Sequence, residues 1–201
     1  MFVKPEMNFA GDSPLTAIGP ERYALGDWSS EADSAAAFDK HVKELDLFDR
    51  VFSEVRGYSL APRINRENKD FRIDRVLIPN QRLRDAGWSH VIGVELKRSG
   101  SLVDGRLEKT KLGRPLAQAI DYTYAAWNVG IYWMLCEYVF LWPFPKQSGP
   151  IESVMAQNRV GVTYQSHGDL VFQLEKQVIR ANRYGMLQVS SPRAGDKAGS
   201  R

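Results

Sequence analysis

Asp74, Glu95 and Lys97 are the residues of this sequence whose types and placement demand a chemical explanation. Asp74 interrupts the apolar run FRIDRVLI at 71–78, and Glu95 and Lys97 stand two apart at the end of VIGVELK at 91–97. Both runs read as strands, rich in β-branched residues and bounded by Pro79 and Asn80 or by a polar stretch containing Gly87. Side chains alternate along a strand, so Glu95 and Lys97 share a face. Charges in such strands are unfavourable unless they pair, hold a cation or face a cleft.

Two carboxylates converging from neighbouring strands make a hard oxygen site suited to Mg²⁺ or Mn²⁺. A backbone carbonyl, that of Leu96, would complete it with waters and a substrate phosphate. Lys97 beside them would orient or deprotonate an attacking water and stabilise charge developing on the phosphate. The chemistry implied is metal-assisted hydrolysis of a phosphodiester. The structural alternative is an ion pair between strands, which leaves one acid over. A Glu-x-Lys triplet alone is unspecific, since Glu67-Asn68-Lys69 repeats it in a polar stretch. The second copy differs by its strand context and by the helical segment after it, where Gln118 and Tyr122, four apart, share a face and can hydrogen-bond a phosphate, a water or a base.

The elements that must position these groups follow from periodicity. Ala37, Phe38, His41, Val42 and Leu45 recur at three and four, predicting an amphipathic helix from Ser34, capped by Asp33 or Ser34. Strands are predicted at 51–60, 71–78 and 91–97, three neighbours in one sheet. A helix is expected over 114–128 with Gly113 and Pro115 at its start, then a strand over 131–142, a short helix over 151–158, and a strand pair over 159–164 and 169–175. The aromatic run Tyr132, Trp133, Tyr138, Phe140, Trp142 and Phe144 is expected to be core, and His41, His90 and His167 show no ligand spacing. Residues 1–33 read as an irregular arm, 34–189 as one domain with a small C-terminal β addition, and 190–201 as a disordered tail. The fold class is α/β (α+β), a central mixed sheet flanked by helices.

This order of helix, strand, strand with Asp74, strand with Glu95-Leu96-Lys97, and helix with Gln118-x-x-x-Tyr122 resembles the PD-(D/E)xK nuclease superfamily, most closely its RecB-like and phage-exonuclease branch. The resemblance spans about residues 34–145. It implies a restriction-endonuclease-like core, Mg²⁺-dependent nuclease activity, Asp74 and Glu95 as metal ligands, Lys97 as the catalytic lysine, and Gln118 and Tyr122 on the substrate side. Members also carry a Glu on the first helix; Glu44 matches that position, and Glu54 on the first strand competes for it. Ile73 replaces the motif's proline.

Charge distribution agrees with a polyanionic partner. Residues 1–55 carry 5 basic and 11 acidic side chains, and residues 56–114 carry 14 and 7, so a net +7 segment surrounds the candidate site. Arg72, Arg75, Arg98, Lys111 and Arg114 are the expected DNA-contacting residues, within a wider set that includes Arg63, Arg66, Lys69, Arg82 and Arg84. The single Cys136 excludes an internal disulfide and a cysteine-held zinc or iron–sulfur site. No stretch predicts a membrane span, because the most apolar one is broken by Glu137 and Pro143. The expectations are a cytoplasmic, DNA-acting nuclease of a bacterial or phage-infected cell, serving repair, recombination or phage DNA processing. A homo-oligomer fits but has no sequence signal. The alternative is a non-catalytic nucleic-acid-binding or protein-interaction module on the same fold.

Overall fold

The first helix starts with a capping serine. In a computed structural model, which describes residues 30–60, 70–97, 102–103, 106–107, 109–144 and 150–190, α1 spans Glu31–Leu45. The Ser30 side-chain oxygen accepts the Asp33 amide at 3.1 Å, satisfying one of the open amides of the first turn. The helix therefore begins three residues ahead of Ser34, inside the stretch expected to be irregular; residues 1–29 of that arm lie outside the described residues. Its buried stripe is Phe38, Val42 and Leu45.

Three strands follow, β1 (Phe48–Ser59), β2 (Asp70–Pro79) and β3 (Ile92–Leu96), with a short helix α2 (Gln81–Asp85) between the last two. Sequence reading treats 81–87 as loop, but Asn80 caps a turn there by accepting the Leu83 amide at 3.0 Å, and Leu83 is buried. The three strands are neighbours as expected, β1 antiparallel to β2 and β2 antiparallel to β3, with Arg75 opposite both Ser53 and Val94.

A small hairpin, β4 (Leu102–Val103) and β5 (Arg106–Leu107), precedes α3 (Lys109–Thr123). Here the structure corrects the sequence. Pro115 lies inside the helix, and 125–128 are not helical but form β6 (Ala125–Asn128). Tertiary packing decides this: Trp127 lies opposite Gly57 of β1, and a Cβ on Gly57 would come within 2.5 Å of the Trp127 ring. Only a residue without a side chain admits the indole there.

The strand expected over 131–142 is two, β7 (Trp133–Leu135) and β8 (Tyr138–Trp142). Between them Cys136 is buried and the Glu137 amide donates to the Val91 carbonyl, so the chain leaves the sheet edge and returns beside β3. The aromatic run divides with it: Phe140, Trp142 and Phe144 are buried, whereas Tyr132 and Trp133 are exposed, contrary to expectation.

Helix α4 (Pro150–Gln157) leads to β9 (Val160–Ser166), β10 (Asp169–Leu174), β11 (Gln177–Ala181) and β12 (Leu187–Ser190). The C-terminal addition is thus four strands rather than a pair. Ser190 belongs to β12, and the rest of the expected tail, 191–201, lies outside the described residues. The sheet has ten strands in the order β12-β11-β10-β9-β8-β3-β2-β1-β6-β7. It is mixed, because β8 runs parallel to both β3 and β9 while the other pairs are antiparallel.

Two apolar clusters accompany the helices that flank this sheet. One gathers Ala119 and Tyr122 of α3 and Met155 of α4 with Val139, Leu141 and Val162; the other gathers Phe38 and Val42 of α1 and Leu83 of α2 with Val94, Phe140 and Phe172. Among the described residues no helix is long and apolar enough to cross a bilayer.

Candidate active site

Glu95 points a charged side chain into a place built for apolar ones. Every residue of β3 is buried, and Glu95 is only 2% exposed. One carboxylate oxygen, Oε1, accepts a hydrogen bond from the Lys97 ammonium two residues on. Among the described residues the other, Oε2, is buried with no hydrogen-bond donor. Burial first, then the charge of Asp74 and a hydrogen bond to Asp74 that the protonated form can make, push the Glu95 carboxyl up to about 7, against the pull of Lys97. Asp74 is therefore close enough for the two acids to compete for ionisation.

Asp74 is fixed by the sheet: its Oδ2 accepts the Leu96 amide at 2.6 Å, across the β2–β3 pair. Lys97 is fixed from three sides. Its amide donates to the Trp142 carbonyl at 2.7 Å, its own carbonyl accepts the Ser34 hydroxyl at 2.7 Å, and its ammonium lies 3.8 Å from Glu31. Ser34 is fully buried, and its carbonyl in turn accepts the Trp142 indole N–H at 3.2 Å. The first turn of α1 is thereby locked onto the end of β3.

Helix α3 brings Gln118 and Tyr122 to the same place. The Tyr122 hydroxyl donates to the Arg72 carbonyl at 2.6 Å and accepts from the Gln118 amide. Its ring is buried edge-on against Phe71 and Trp127. Burial and then the Glu95 charge push the phenol upward, so it remains a protonated donor near the two acids.

The remaining candidates are dispersed. Glu44 is exposed and lines a separate cavity of about 340 Å³ with His41, Gln165 and Arg183. Glu54 pairs with Arg72 at 2.9 Å on the exposed surface of β1. The glutamate that α1 does bring to Lys97 is Glu31, missed because the helix was expected to begin after it; the signal was Ser30 followed three residues later by Asp33, a pattern that marks a helix start.

Arg75 does not face solvent. It is 7% exposed, held by two hydrogen bonds of 2.7 Å to Asp39 and a third to the Asp74 carbonyl, which removes it from any DNA-facing set. Arg82 and Arg84 sit on α2, past the Pro79 end of β2, roughly 17 Å along the strand from Asp74. Arg72 and Arg114 are exposed; Lys111 lies in the first turn of α3, and Arg98, Arg63, Arg66 and Lys69 lie outside the described residues.

Asp74 and Glu95, with the backbone of Leu96 held to Asp74, would offer hard oxygens of the kind that Mg²⁺ and Mn²⁺ take. The donorless, buried Oε2 of Glu95 fits such an ion, since a cation would supply the partner it lacks. Comparison of the chain with protein families, with curated proteins and with solved structures gives no match.

Proposed function

We propose that the protein is a divalent-metal-dependent nuclease that hydrolyses DNA phosphodiester bonds at Asp74, Glu95 and Lys97. The observation that carries this reading is the buried, donorless oxygen of Glu95 next to Asp74, with Lys97 on the other oxygen. An uncompensated carboxylate of this kind opposes folding, and pairs of acids so placed recur at sites that bind metal or move protons. Support also comes from element order. Helix α1, the antiparallel β1-β2-β3, helix α3 and a β8 parallel to β3 follow the order of a restriction-endonuclease-like core, with β6 and β7 inserted before β8.

In this reading Asp74, Glu95 and the Leu96 carbonyl hold Mg²⁺ or Mn²⁺, which supplies Lewis acidity toward the phosphate. Lys97, anchored through Ser34 and Trp142, puts a cation where negative charge accumulates and orients the attacking water. Glu31 balances Lys97 from α1. Tyr122 and Gln118 stiffen the opposite wall through the Arg72 carbonyl. Arg72 and Arg114 offer guanidinium groups to the backbone of the substrate.

One observation favours the second reading, a non-catalytic DNA-binding or protein-interaction module. The Lys97–Glu95 contact is itself an ion pair, as a structural role requires. The experiment that separates the two is cleavage of labelled linear, circular and branched DNA with Mg²⁺, Mn²⁺ or EDTA, beside a folded Glu95→Ala, Lys97→Ala double variant. Metal-dependent cleavage that vanishes in the variant supports the nuclease; binding of DNA with no cleavage by the wild type supports the module.

A further inference from the structure

The far edge of the sheet carries large side chains that the core does not use. Tyr58, Ala126 and Leu135 stand side by side across β1, β6 and β7. In the adjoining row Asn128 faces Trp133 and, two residues before Tyr58, Arg56 faces Arg72 of β2. Period two puts both rows on one face of the sheet. Tyr58 and Trp133 meet edge to face at 4.9 Å, yet remain 42% and 54% exposed, and Tyr132 beside them is 64% exposed. Large aromatic side chains left exposed together in this way are the material of a binding surface.

The neighbouring charges select its occupant. Arg56 and Arg72 share a row with Trp133, and Asp70 stands opposite Tyr58 in the next row. Among the described residues Arg72 pairs with the exposed Glu54, in a pair of the sort that contributes little and that a phosphate can displace. Aromatic faces with interspersed guanidinium groups are how proteins hold unpaired bases and their phosphates. From β7 to β2 is three strand spacings, roughly 14 Å.

We propose that this face binds single-stranded DNA, with bases stacked on Trp133 and Tyr58 and phosphates on Arg56 and Arg72. The binding stands on the surface alone and is independent of the nuclease reading.

The test is fluorescence anisotropy of a fluorescein-labelled oligothymidine in EDTA, where nothing is cut, with an abasic oligomer of the same length as second probe. Trp133→Ala and Tyr58→Ala, both at exposed positions, are expected to bind oligothymidine about tenfold or more weakly, while the abasic strand binds as to wild type. Trp133→Phe should recover most of the affinity, and Arg72→Ala should weaken both probes. Unchanged oligothymidine binding by both alanine variants overturns the proposal. So does a wild type that sediments as a dimer and a Trp133→Ala monomer with unaltered DNA affinity, which would make the patch an interface between two copies. Trp133-dependent binding without any Mg²⁺-dependent cleavage upholds the surface and removes the nuclease reading. Cleavage with Trp133-independent binding does the reverse.

Discussion

The Lys97 ammonium bonds one oxygen of Glu95 and leaves the other buried without a donor among the described residues. The pair is thus half-compensated, and this asymmetry has measurable consequences in the metal-free protein. The Glu95 carboxyl ionises near 4.5 when unfolded and about 7 when folded. Between those values the folded state holds a proton that the unfolded state has released, so stability falls as pH rises through that window and levels off above it. The loss is roughly 3 kcal/mol. Urea melts from pH 4 to 8 in EDTA should show this slope in the wild type and a flatter profile in Glu95→Gln. Equal slopes would mean that Glu95 titrates normally.

Cation binding reverses that loss, because the ligand form is the ionised carboxylate. Mg²⁺ or Mn²⁺ is expected to raise the melting temperature more at pH 8 than at pH 6, and to leave Asp74→Asn and Glu95→Gln unmoved at both. A shift of equal size in the variants would place the ion elsewhere.

Ser34 is expected to act through Lys97. Ser34→Ala removes the hydroxyl that donates to the Lys97 carbonyl at 2.7 Å, for about 1 kcal/mol of stability. It should lower the cleavage rate several-fold with KM little changed, since it displaces the lysine rather than the substrate. Steady-state kinetics beside a thermal melt separates this from general loss of fold.

Asp39 and Arg75 should behave as structure. Asp39→Ala strands a buried guanidinium whose two bonds to Asp39 are 2.7 Å long, and is expected to cost about 2–3 kcal/mol by urea melts. The loss is tempered by the half-exposed position of Asp39. Affinity of the folded fraction for DNA should be unchanged, in contrast to Arg72→Ala.

Sequence pattern located the strands that carry Asp74 and Glu95, with Lys97 just past the end of β3, because charges stand out within β-branched runs, and period two alone puts Glu95 and Lys97 on one side. Gln118 and Tyr122 were legible for a similar reason, their spacing on a helix. What pattern did not reveal depends on long-range packing. Ala125–Asn128 continues a helical period, and only the fit of Trp127 over Gly57 turns it into a strand. Arg75 looks like any other arginine of a basic segment until Asp39, on a different element, claims it. Glu31 was hidden by a helix start set by one serine, Ser30. Strands β11 (QVIRA) and β12 (LQVS) are too short to stand out as periodic runs and are held by pairing, β11 to β10 and β12 to β11.

The most direct measurement is the rate of cleavage of one end-labelled DNA strand as Mg²⁺ is titrated from EDTA-stripped protein, for wild type, Glu95→Gln and Lys97→Met. Cleavage should rise with Mg²⁺ in the wild type, be lost by a hundredfold or more in both variants, and saturate at similar Mg²⁺ in any residual activity of Lys97→Met, which keeps both carboxylates. Cleavage that persists in Glu95→Gln, or a wild type inert at every Mg²⁺ concentration while binding the strand, would contradict a hydrolytic site at Asp74, Glu95 and Lys97.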